Sequence, residues 1–208
     1  SINPNDESYI KGYMTKLCPQ LKDYQKQETV KYIHNYLYDE AVEFNTNPYS
    51  IVFKNGILDL STNTFEDMTP SHLESIQINC NYTPNPKATA VVDEFFNTAT
   101  NGDKDIEQLL YEAIGYAMLK TNELQLAFML VGTGRNGKST YLDLVKAILG
   151  KGNYGSISFK DLQSNFRASM LIGKLASFAG DVSNQPVQDS ELVKSLIAGE
   201  EVTMEQKY

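Results

Sequence analysis

The nine residues Gly132, Thr133, Gly134, Arg135, Asn136, Gly137, Lys138, Ser139 and Thr140 constrain this chain more than any other stretch. They fit Gly-x-x-x-x-Gly-Lys-Ser/Thr, the pattern of a loop that wraps phosphate. Glycines let backbone N–H groups turn inward onto phosphate oxygens. A helix beginning near Lys138 aims its positive end at the same charge. The flanks suit the pattern. LQLAFMLVG at 124–132 is a nearly continuous apolar run, as expected of a buried parallel strand. KSTYLDLVKAIL at 138–149 clusters Leu142, Val145, Ala147, Ile148 and Leu149 on one side, as a helix would. The nine residues then form the nucleotide-binding loop, with Lys138 on the β- and γ-phosphates and the Ser139 hydroxyl on Mg²⁺. ATP and Mg²⁺ are the cofactors this chemistry implies.

Such a loop works with an acid at the end of a neighbouring strand, which holds the metal through water. KLASFAGD at 174–181 is a strand candidate ending in Asp181, which is assigned to catalysis and metal together with Lys138 and Ser139. Asp161 and Asp189 are weaker rivals, because no apolar strand leads into either. DSELVKSLIAG at 189–199 reads as a helix with Gly199 as its stop. Strand, loop, helix, strand, helix predicts an α/β domain with a parallel sheet over 123–208.

Residues 1–122 read differently, as a mainly helical domain with a β element near 51–66. Val30, Ile33, Leu37, Ala41 and Phe44 form a helical stripe within 22–44. Tyr32, Tyr36 and Tyr38 on that stretch suit either the edge of a packing helix or base stacking. After a breaker at 45–50, Ile51–Phe53 and Ile57–Leu60 are strand-like, with Asn55-Gly56 at a tight turn or bulge. A turn-rich stretch at 81–89 leads into two helices, at 87–99 and 103–119, the second with Asp103 as candidate N-cap.

The formal net charge of −8 argues against a chain that coats nucleic acid by bulk charge. The charge is uneven: residues 1–127 carry −9 and residues 128–208 carry +1. Contact with a polyanion is therefore expected from local basic positions in the C-terminal part. The two cysteines, Cys18 and Cys80, and two histidines, His34 and His72, lack metal-ligand spacing, so a zinc site is not expected. No apolar run approaches the roughly 18 residues of a membrane span, and the N-terminus does not read as a signal peptide. A cytoplasmic location without membrane contact is the expectation. A start at Ser1 reads as a piece of a longer or processed product.

These pieces in this order resemble the superfamily 3 helicases, and more closely the phage and plasmid primase–helicase group that includes the poxvirus primase-helicase. The likeness runs from about Asn55 to the end. It is carried by NGILDLSTNTF, the IGYAML helix, GTGRNGKST, FRASMLIGK at 166–174, the strand into Asp181, and KSLIAGEEVTMEQKY at 194–208. The resemblance implies a truncated AAA+-like ATPase that assembles as a hexamer and translocates on single-stranded or forked DNA at replication. It gives Lys138 and Ser139 to ATP and Mg²⁺ and Asp181 to the metal side. It also makes the stretch from Lys194 to Tyr208 the segment leading through a DNA-touching hairpin, with Lys194 and Lys207 as its basic positions. The chain departs from the family at Gly180, where a second acid often stands. Its last residue, Tyr208, precedes the family's sensor strand and interface arginine. The expected content is thus a helical N-terminal domain and the first half of an ATPase.

Two other readings have discriminating features. A P-loop small-molecule kinase needs an arginine-rich lid, and the chain has only Arg135 and Arg167. A non-catalytic assembly or adaptor piece would be nucleotide-silent.

Overall fold

The computed structural model describes residues 4–36, 43–86, 90–158, 161, 168–180, 191–200 and 202. The chain divides into two compact units, residues 1–43 and 44–208. The boundary read from sequence, between 122 and 123, falls inside the second unit.

The first unit is a helix pair, α1 (Pro4–Leu17) and α2 (Asp23–Tyr36). Its buried side chain is Val30 on α2, and Lys11 Nζ donates to Gln27 Oε1 at 2.6 Å across the pair. Tyr32 and Tyr36 are exposed and stack on each other, with ring centroids 5.7 Å apart. One helical turn separates them, so the contact follows from i,i+4 spacing. Tyr38 lies outside the described residues.

The second unit begins with an antiparallel meander: β1 (Ser50–Phe53), β2 (Gly56–Asp59) and β3 (Thr64–Glu66). Phe53 faces Gly56 and Ser50 faces Asp59, so Lys54 and Asn55 make the turn. Gly56 has φ +154°, and a Cβ there would lie 2.4 Å from the Glu66 carbonyl oxygen, so glycine is required. The Asn55 amide locks the turn from outside, donating to Tyr82 O and accepting from Tyr82 N, both at 2.8 Å.

Two helices follow, α3 (Ala90–Ala99) and α4 (Lys104–Ala117), then α5 (Lys138–Leu149). Asp103 caps α4 as its sequence position suggests, its carboxylate accepting from the N–H groups of Asp105 and Ile106 at 3.1 Å. The core lies where the meander meets these helices. Ile51, Phe53, Leu58, Ile78, Phe96, Ile114, Tyr141, Val145 and Leu149 form one buried cluster. Phe96 and Leu149 are fully shielded from solvent. The last carbonyls of α5 are tied to the meander side: Ile148 O accepts from Asn79 N at 2.7 Å, and Ala147 O accepts from Asn79 Nδ2 at 3.2 Å.

A second, parallel sheet pairs β4 (Tyr154–Ser156) with β5 (Ala176–Phe178). The last described helix is α6 (Glu191–Ala198). Its C-terminal carbonyls are capped from the turn after α4: Asn122 Nδ2 donates to Leu196 O at 2.9 Å and Gln125 Nε2 to Ala198 O at 3.2 Å. The molecule is thus a mixture of helices and two small sheets. Among the described residues, no helix is long and apolar enough to cross a membrane.

One expectation is corrected. Residues 124–132 do not form a buried strand. Leu124, Leu126, Phe128, Met129 and Val131 are exposed, Val131 at 83%, and only Leu130 packs against the core cluster. The physical reason is the lack of a ladder partner: among the described residues, β5 pairs with β4 and nothing pairs with this run. An apolar strand is buried by neighbours, and hydrophobicity does not create them.

Candidate functional site

The loop at 132–140 is set on a rigid base. It leads into α5, whose N-terminal residue is Lys138. Tyr141, one turn into α5, is buried and donates from its hydroxyl to Leu110 O on α4 at 2.8 Å. Burial raises the Tyr141 phenol to about 12. Its ring lies 5.8 Å from that of Phe96 on α3. The start of α5 is therefore fixed against both α3 and α4.

Gly137 is the N-cap of α5, with φ +85° and no side-chain cap. A Cβ at Gly137 would lie 2.9 Å from Phe95 Cε2 and 3.7 Å from Ala99 Cβ. Helix α3 thus backs the loop directly, and glycine is required on steric and conformational grounds. Arg135 is also left-handed, with φ +63°. The turn between them leaves the first N–H groups of α5 without a side-chain acceptor, the arrangement that suits an anion.

Lys138 Nζ folds back over the loop. It donates to Asn136 Oδ1 at 2.7 Å, to Gly132 O at 3.1 Å and to Thr133 O at 3.4 Å. Asn136, Gly137 and Lys138 are half-buried; Gly132 to Arg135, Ser139 and Thr140 are exposed. Lys138 and the exposed Ser139 are the first two residues of α5, directly after its uncapped start. These donors fit the phosphates of a nucleotide, which need an ammonium and backbone N–H groups together.

The remaining residues singled out by sequence are placed unevenly. Asp181, Asp189, Arg167 and Lys207 lie outside the described residues. Asp161 is described, with its N–H donating to Ser158 O at 3.0 Å. Lys194 is exposed on α6. Lys138 and Ser139, neighbours in sequence, open α5, while Asp181 and Lys207 lie outside the described residues.

Sequence reasoning missed a buried ion pair that joins β1 to the chain after α4. Lys120, after α4, donates to both Glu74 oxygens at 2.6 Å and to Ser50 Oγ at 2.7 Å. The two side chains are 8% and 2% exposed. The Ser50 hydroxyl also donates to Glu74. This cluster welds β1 to the segment leading toward the loop. Its sequence separation of 46 residues left no local signal to find it by.

Comparison with known proteins adds lineage to this geometry. Residues 2–112 match the family described as "D5 N terminal like", more than half of the chain. The chain belongs to the D5 N-terminal-like family. The family match covers α1, α2, the meander, α3 and most of α4, and of these α3 and α4 hold the start of α5. Residues 130–208, which contain the loop, match a second model described as a family of unknown function. The chain is also similar to a protein of Acanthamoeba polyphaga mimivirus named "Putative helicase", 29% identical over 149 residues. That match covers 66% of this chain and 15% of the viral protein. This D5 N-terminal-like chain therefore spans a small part of the length of the relative it matches.

Proposed function

We propose that this chain is the nucleotide-binding part of an ATP-driven DNA helicase of the primase–helicase kind. One observation carries the reading: Lys138 opens α5 directly after Gly137, an N-cap with no side-chain bond whose position is backed by Phe95 and Ala99 of α3. The D5 N-terminal-like family and the helicase name of the viral relative support the class. The superfamily 3 assignment, hexameric assembly and translocation on single-stranded or forked DNA belong to this proposal.

Within it, each residue has a defined task. The N–H groups at the start of α5 and the Lys138 ammonium bind the phosphates and offset their charge. Ser139, through its hydroxyl, and Asp181, as the acid, would hold Mg²⁺, which would offset the phosphate charge. Mg²⁺-ATP supplies the phosphoryl group whose transfer to water releases the energy for movement. Helix α3, through Phe95 on Gly137, keeps the loop from collapsing. Lys194 and Lys207 are the proposed DNA contacts, with the exposed face of α6 presenting the first.

The test is ATP turnover by the intact gene product, with and without single-stranded DNA. Stimulation by DNA in the wild type, and loss of at least about a hundredfold in turnover with Lys138→Ala, is expected. Undiminished DNA-stimulated turnover in that variant would refute the proposal.

A further inference from the structure

Asn136 has two contacts that the phosphate-loop reading does not use. Its Oδ1 is the nearest acceptor of Lys138 Nζ, at 2.7 Å. Its Nδ2 lies over Gly132, so that a Cβ on that glycine would sit 1.9 Å away. An ammonium has three N–H donors. Lys138 directs them at three acceptors, all within the loop: Asn136 Oδ1, Gly132 O and Thr133 O. A phosphate oxygen can bind this ammonium only by replacing one of them.

The three are not equally replaceable. Two are main-chain carbonyls, fixed by the course of the loop. Moving either carbonyl means moving the chain itself, and both lie farther from Nζ, at 3.1 Å and 3.4 Å, than the Asn136 amide oxygen at 2.7 Å. The Asn136 amide sits on two rotatable bonds and can swing away. We infer that Asn136 is a positioning residue that latches Lys138 and competes with phosphate for it. The inference rests on the phosphate-binding reading of the loop. Its consequence is a tax on affinity: nucleotide binds only after the latch opens, and removing the latch removes the tax.

The test uses the full 208-residue chain and two readouts. The first needs no nucleotide: acetylation of Lys138 by acetic anhydride, followed by mass spectrometry and normalised to exposed Lys151. Asn136→Ala is expected to speed Lys138 acetylation about threefold or more, because one strong acceptor is lost. Asn136→Asp is expected to slow it, because a carboxylate holds an ammonium harder than an amide does. The second readout is calorimetric titration with Mg²⁺-ATP and with adenosine. Asn136→Ala is expected to bind ATP about three- to tenfold tighter, with adenosine unchanged. Gly132→Ala, which pushes the Asn136 amide aside, is expected to repeat the faster acetylation.

Acetylation unchanged in Asn136→Ala overturns the latch, whatever the nucleotide data. Faster acetylation with ATP binding unchanged or weaker overturns competition, since Asn136 would then assist the bound phosphate. ATP binding that is the same in the wild type and Lys138→Ala refutes the phosphate-loop reading itself. Opposite shifts for Ala and Asp in the acetylation readout support the latch, because a merely structural asparagine would move them together.

Discussion

β1 and the run at 124–131 are both apolar, yet they meet opposite fates. All four residues of β1, Ser50 to Phe53, are buried. Leu124, Leu126, Phe128, Met129 and Val131 are exposed. The difference is the distance to a partner. β1 reaches β2 through the two residues Lys54 and Asn55, so pairing is local and costs little chain entropy. Ile78 and side chains of α3, α4 and α5 join the paired strands in one buried cluster. The 124–131 run has no neighbouring strand within reach among the described residues. Its one inward side chain, Leu130, and the Phe128 ring 6.2 Å from that of Tyr116 tie it to α4. Apolar character marks where a strand could be buried; a partner decides whether it is.

This contrast can be broken by substitution. Phe53→Ala should cost about 4 kcal/mol in urea unfolding, as a buried aromatic is lost from a packed cluster. Val131→Ala should stay within about 0.5 kcal/mol. Equal costs would mean that the 124–131 run is buried in solution. Next in size is the weld at the base of β1. Glu74→Gln should cost about 3 kcal/mol by the same measurement, because it leaves the Lys120 charge buried and underpaired. A neutral result would show that water reaches that pair.

The helix start at Asp103 offers a smaller and purely local effect. Asp103→Ala should cost about 1 kcal/mol, with α3 and the meander unaffected in amide exchange. The smallest effect lies at the meander's outer edge. His72 Nε2 meets Glu66 Oε1 on β3 at 3.1 Å, and this hydrogen bond raises the imidazole above its usual value. The backbone bond to Thr69 adds to the shift. A raised value in the fold means that the protonated form stabilises it. That support is fully present below the unfolded histidine's titration near 6.5 and fades as pH rises through the raised value. An NMR titration of His72 should show the raised midpoint, and Glu66→Gln should lower it. An unchanged midpoint would remove Glu66 as the cause.

Much of the local structure was legible. Asp103 announced α4, the 138–149 pattern announced α5, and Asn55-Gly56 marked the turn region between two real strands. Each of these signals acts over a few residues. The helix at 4–17 was not foreseen, because Tyr9, Tyr13 and Leu17 lie on its exposed side and blur the stripe. β4 (Tyr154–Ser156), with a glycine and a serine among its three residues, carries no apolar pattern to read. The strand expected at 124–132 failed for the reason the contrast teaches: the sequence reports appetite for burial and is silent on partners. At the candidate site, Lys138, Gly137 and Ser139 were legible from spacing alone. Phe95 behind Gly137 and the Lys120–Glu74–Ser50 cluster were not, since both depend on contacts between distant segments. The Asn136–Lys138 contact had only a hint, a polar side chain two residues before the lysine.

The central claim is that the loop from Gly132 to Thr140 binds the phosphates of a nucleotide through Lys138. The most direct measurement is calorimetric titration of the 208-residue chain with Mg²⁺-ATP, in the wild type and in Lys138→Ala. Saturable one-site binding that pyrophosphate competes away, weakened about tenfold or more by the substitution while circular dichroism stays the same, is the predicted result. Equal affinity in the two proteins would contradict it.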